Sequence, residues 1–385
     1  MRPARLHPRA LLALLLLTAA CAAPPDDREV VYAWTASADS TKPDFLAVID
    51  VKEGSPTVGQ VLTRVPVPGL RNFPHHSEHE LAADNRLFVN GFDTGQSWVF
   101  NVSERTEPRI VTQFGDLGGF SHPHTFIRLP NGNVLAMYQM QHVGGGMRPG
   151  GLVELTTDGV FVRASAPQPT SVDSGTRVYS GLVVEALDRV VTTSTDRDAD
   201  FPASRSIQVW RLSDLSLLHT FPLPEGPAGG EGLLTAEPRL HSDGRTVLVS
   251  TFACGLYRLE GLDSDTPSGR FVTSFPPKDG TSCAIPAVVG NYYLVTVPAY
   301  SAVVSLDISN LEAPREVSRV AFDSTDVPHW LAVSPDQRRV VVTGYGTMMT
   351  RAELLTFDPA TGTLGKQRTI ADVGGVPHGI VFSRP

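Results

Sequence analysis

Apolar residues along the chain fall in runs of about four to six, broken by polar turns, which is the rhythm of strands. Seven of these runs are variants of one phrase, an apolar strand that ends in a polar turn before a further strand. They begin at Leu46, Trp98, Leu152, Gln208, Leu256, Val303 and Leu354. Measured at Asp50, Asn101, Leu155, Leu212, Leu259, Asp307 and Asp358, successive gaps are 51, 54, 57, 47, 48 and 51 residues, room for four strands per unit. The unit ending the array shows all four: His329 to Ser334, Arg338 to Thr343, Glu353 to Phe357 and Lys366 to Ala371. Four-stranded sheets repeated seven times predict an all-β, seven-bladed β-propeller over residues 30–385, an arrangement that exposes only short edges.

The two ends predict how the ring closes. Val30 to Thr35, Phe45 to Val51 and Gln60 to Val65 supply three strands without the usual first one. His378 to Ser383 supplies one first strand and nothing more. Together they make the seventh blade.

Candidate chemistry lies at the start of the repeat. Phe73-Pro74-His75-His76, His122-Pro123-His124, Val327-Pro328-His329 and Val376-Pro377-His378 bring imidazoles to one mouth of the ring, from blades one, two, six and seven. Neutral imidazoles suit Cu, Zn, Fe and Ni, so His76, His124, His329 and His378 are read as the metal ligands. Strand alternation allows only one of His75 and His76 to face inward, which makes His75, with His79 and His122, a supporting neighbour of the ligands. The other blades offer Tyr179, then Glu231 or Glu237, then Cys283 near the equivalent point; Glu237 and His329 are candidate acid–base groups. A thiol and thioethers at the same mouth tilt the choice toward copper. Cys254 and Cys283 sit on adjacent blades, free to pair or to ligate. The alternative is a mouth whose histidines only donate hydrogen bonds to carbonyls.

Two tempting motifs are set aside. Gly144-Gly145-Gly146 with Gly150-Gly151 lacks the Lys-Ser/Thr of a phosphate cradle and reads as a flexible loop. Asp196, Asp198 and Asp200 lack the Gly and Glu of a calcium loop.

Arg2, Arg5 and Arg9 precede the apolar run Leu11 to Leu17, and Leu17-Thr18-Ala19-Ala20-Cys21 ends like a lipoprotein cleavage site. Residues 1–20 are therefore expected to be an export signal, with Cys21 lipidated, 21–29 a linker, and the protein periplasmic or on the outer membrane; a soluble secreted product is the alternative. Membrane contact is expected through the lipid alone. Without residues 1–20 the charge is 29 − 40 = −11, with no basic run, which argues against nucleic acid as a partner.

The chain resembles the selenium-binding protein family, which includes copper-dependent methanethiol oxidases. The resemblance rests on Pro43 to Val51, Arg64-Val65-Pro66-Val67-Pro68 leading to His75-His76, His124-Thr125, Gly150 to Val153, Leu306 to Ser309 with Ala313-Pro314-Arg315, and Pro377-His378. It runs thinly from about residue 29 to the end. It implies oxidation of a small thiol by O2 to an aldehyde, sulfide and peroxide. By position, His76, His124 and His378 match the family's histidines, Glu237 is matched to a glutamate there, and His329 is a local variation where animal members carry Gln. The family's selenium-associated cysteine has no counterpart in Val30 to Thr35, so selenium binding is not expected. Two other classes stand beside this one: a non-catalytic propeller that binds a ligand or protein at the cell envelope, and a calcium-dependent lactonase, whose carboxylate and Asn ligands the aligned histidines do not provide.

Overall fold

In the computed structural model, which describes residues 28–144, 146–167, 176–194, 204–276, 283–370 and 372–385, seven four-stranded antiparallel sheets form a β-propeller. The expected fold is borne out. The expected export signal over residues 1–20 with Cys21, and the Asp196, Asp198 and Asp200 cluster, lie outside the described residues.

Each repeated phrase is the third strand of its blade, flanked by the second and fourth. These strands are apolar on both faces because blades pack face to face. Val48 of one blade joins Leu87, Trp98 and Phe100 of the next in a single cluster, and Tyr257 and Leu259 pack with Val184, Val191 and Val209. The ring closes as the ends predicted. The sheet order in blade seven is Gly375–Phe382, Val30–Ser37, Phe45–Asp50, Val61–Pro66, and Val31 pairs with Phe382.

One local expectation changes and one open alternative is resolved. The glycine-rich segment is not simply a loop, since Val134–Val143 and Gly146–Leu155 form a long hairpin with Met147 opposite His142. Cys254 and Cys283 are bonded, with Cα atoms 4.9 Å apart, and tie blade four to the lead-in of blade five. Neither sulfur is free to ligate, so the thiol argument for copper falls away, and Cys283 packs instead with Leu248, Tyr293 and Val295.

A candidate metal centre on the propeller axis

The innermost strands share a defect that builds the site. In blade one, Pro74 pairs with Gly91 and Ser77 with Val89, so three steps on one strand meet two on the other. Such a bulge re-aims side chains that strict alternation would send to opposite faces. The extra residue falls at His75-His76 in blade one, His124-Thr125 in blade two, Tyr179-Ser180 in blade three, Ala236-Glu237 in blade four, His329 in blade six and His378-Gly379 in blade seven. Pro74, Pro123, Pro328 and Pro377 stand just before it on strands that edge the central channel, where a residue without an N–H is tolerated.

The register sorts the site into two tiers. First bulge positions form an arc of adjoining rings: His329 to His378 at 4.8 Å, His378 to His75 at 4.5 Å, His75 to His124 at 4.9 Å and His124 to Tyr179 at 3.9 Å between centroids. Second positions hold His76, Thr125, Ser180, Glu237 and Gly379. Gly379 is required there, because a Cβ would lie 2.8 Å from the Ser77 nitrogen.

The bulges free backbone groups, and polar residues buried in otherwise apolar second strands satisfy them. Asn90 accepts from the His76 N–H at 2.6 Å and donates to the Pro123 carbonyl at 3.0 Å. Thr193 donates to the Ala236 carbonyl at 2.5 Å, Thr296 to that of His329 at 3.1 Å, and Thr343 to that of His378. These supports were missed in the sequence, although a lone Asn or Thr inside a Val-rich run was a signal for them.

All five arc and inner histidines are buried. Burial above all, and for His75, His76 and His329 the crowding of other imidazoles, holds their pKa values below the ordinary range. His124 falls to about 3 and His378 to about 4. They are therefore neutral at pH 7, with a lone pair on each ring. His378 Nδ1 lies 2.6 Å from the His75 carbonyl, which only accepts, so Nδ1 carries the proton and Nε2 the lone pair. His378 Nε2, His124 Nε2, His329 Nε2 and His75 Nδ1 have no hydrogen-bond partner although buried. Each such polar atom costs roughly 1–3 kcal/mol if nothing meets it.

Ligand nitrogens of His75, His76 and His124 lie within 4.8 Å of one another, so this cluster could hold a metal ion. This geometry sets His75 beside His76 and His124, where strand alternation had turned it away. The Pro-His dipeptides common to four blades agree with this grouping, since they align His75, not His76, with His124, His329 and His378. His329 stays at the end of the arc, between His378 and the half-exposed Tyr345, and is not in the three-histidine group.

Glu237 is fully buried beneath the arc. Its Oε2 accepts from Ser180 at 2.8 Å and Arg239 at 2.9 Å and lies 3.3 Å from His79 Nε2, while Oε1 has no hydrogen bond and sits 3.9 Å from His76 Nε2. Burial pushes its carboxyl up, but His79 and Arg239 outweigh that and hold it near 2. His79, stacked on Trp330 at 4.7 Å, belongs with Glu237. His122 packs instead against Gly95 of blade one. Glu231 binds the N–H groups of Ala228 and Gly230 in its own loop and takes no part. Around the arc stand Phe73, Phe92, Phe252 and Tyr345, with Phe92 4.5 Å from His75 and Phe252 parallel to His329 at 6.4 Å.

Fold and site define a propeller with a buried imidazole arc on its axis. No family model matches the chain. Methanethiol oxidase of Ruegeria pomeroyi is 37% identical over 164 residues, covering 40% of this chain and 36% of that protein. Selenium-binding protein 2 of Arabidopsis thaliana is 24% identical over 301 residues, 71% of this chain and 60% of that protein. The chain thus spans less than two thirds of the length of either relative. Among solved structures, a hypothetical selenium-binding protein from Sulfolobus tokodaii superposes with a TM-score of 0.76 at 17% identity, over 94% of both chains. The periplasmic gluconolactonase of Pseudomonas aeruginosa gives 0.66 at 16%, over 92% of this chain and 99% of that one. Both likenesses show the fold. The two sequence relatives support the resemblance to selenium-binding proteins and methanethiol oxidases that the motifs carry.

Proposed function

We propose that this protein is an exported oxidase of a small thiol that uses copper held by the histidine arc. The observation that carries the reading is the convergence of unpartnered, neutral imidazole nitrogens on the axis of a chain similar to methanethiol oxidases. His75, His124 and His378 would hold the metal, and an all-imidazole donor set suits copper. Bound there, copper supplies a Lewis acid that lowers the thiol pKa and a path for electrons to O2.

The chain's own residues do the rest. Phe73, Phe92, Phe252 and Tyr345, whose rings adjoin the arc, would offer a short alkyl group an apolar approach. The Glu237 charge, 3.9 Å from His76 Nε2, favours placing on His76 the proton that the thiol gives up. In the balanced reaction one thiol, one O2 and one water yield one aldehyde, one hydrogen sulfide and one hydrogen peroxide. The carbon that bears the sulfur is oxidised, its bond to sulfur breaks, and O2 takes the electron pair. Export, with a lipid anchor at Cys21, belongs to the same proposal; the disulfide supports an oxidising compartment.

The test is to supply methanethiol and O2 to copper-loaded protein and measure sulfide and peroxide. Equal yields of both, lost in His124→Ala/His378→Ala, are expected. A loaded protein that yields neither overturns the reading.

A further inference from the structure

We infer that Thr125 makes His76 and His124 chemically unequal, so that His124 offers its Nε2 lone pair to a metal while His76 turns an Nε2–H toward Glu237. This rests on the metal reading above and refines which imidazoles serve it.

Thr125 is wholly buried, and its Oγ1 lies 3.0 Å from His124 Nδ1 and 3.1 Å from His76 Nδ1. A hydroxyl has one hydrogen. It can give that hydrogen to only one ring while accepting from the other, so the two neutral rings take opposite tautomers. In one arrangement His76 Nδ1–H donates to Thr125, Thr125 donates to His124 Nδ1, and His124 must carry its proton on Nε2. That atom is buried without a hydrogen-bond partner; the Tyr179 carbonyl is near enough to raise the ring's pKa but does not meet Nε2 in hydrogen-bonding geometry. A stranded donor is disfavoured.

In the other arrangement His124 Nδ1–H donates to Thr125 and Thr125 donates to His76 Nδ1. His76 then holds its proton on Nε2, which faces Tyr179 Oη at 3.4 Å and the unpartnered Glu237 Oε1 at 3.9 Å. Each of these donors then faces an acceptor, and the atom left over is the His124 Nε2 lone pair, which a metal would use. The tiers follow the same division: His124 stands in the arc with His75 and His378, and His76 stands with Ser180 and Glu237.

Thr125 is thus a positioning residue, and its test reads tautomers as well as metal. Histidine-selective nitrogen NMR spectra of metal-free protein are expected to show Nδ1–H at His124 and Nε2–H at His76. Thr125→Val should mix the tautomers and weaken copper affinity, measured by chelator competition, about 10- to 100-fold; Thr125→Ser should restore both. Overturning results are the reverse tautomers in the parent protein, a valine variant with parental tautomers and affinity, or a serine variant no better than valine. If the parent protein takes no copper, the metal reading fails, and the tautomer spectra alone still decide the role of Thr125.

Discussion

Lowering the pH from 7.5 to 5 should destabilise the metal-free protein severely, for a reason that can be counted. Unfolded imidazoles take up protons near pH 6.5. In the fold, His75, His76, His124, His329 and His378 are buried and held below that value, His124 at about 3 and His378 at about 4. A base whose folded pKa is lowered binds fewer protons in the native state, so its stability is complete above pH 6.5 and falls as the pH drops. At pH 5 His124 and His378 each withdraw about 2 kcal/mol, together about 4, and His75, His76 and His329 add to the loss in the same direction, against about 5–15 for a whole domain. Glu237 does not contribute in this window: its carboxyl is depressed to about 2, so its stabilisation persists above the unfolded value of 4.5 and is lost only as the pH falls below it. Urea unfolding followed by the four buried tryptophans, Trp34, Trp98, Trp210 and Trp330, measures the change. A loss of less than about 2 kcal/mol, the share of a single histidine, would refute the account of the arc as five neutral imidazoles.

Three further outcomes follow from named contacts. Replacing Cys254 and Cys283 by Ser opens a loop closed over 29 residues and should cost about 3–4 kcal/mol, read as a lower urea midpoint; an unchanged midpoint would show that the bond constrains nothing. Asn90→Ala leaves the His76 N–H and the Pro123 carbonyl without partners inside the core. It should cost about 2–4 kcal/mol and loosen metal uptake, whereas a neutral effect would discount the bulge supports. Glu237→Gln keeps the hydrogen-bonding shape but removes the charge, so copper uptake should persist while thiol oxidation falls about 10²- to 10⁴-fold; full activity would remove Glu237 from the proton path.

The fold was legible because a propeller repeats its phrase: seven third strands set blade number and spacing, and the two chain ends set the closure. The site was legible only to the level of the blade. Strand alternation put His75 and His76 on opposite faces, and a one-residue bulge overrode it. Bulges leave little trace in composition, although the Pro-His pairs marked this one. The disulfide was undecidable because two cysteines on one rim can pair or ligate, and only their spacing in the fold settles it. The hydroxyl of Thr125 and the amide of Asn90 act through atoms from different blades, which no run of sequence brings together.

The measurement that tests the central claim most directly is metal content by mass spectrometry on protein lacking residues 1–20, matured with copper and zinc offered together, beside its His124→Ala/His378→Ala variant. Near-stoichiometric copper in the parent protein, absent from the variant, is the predicted result. No metal in either protein, or equal metal in both, contradicts the assignment of the arc as a metal centre.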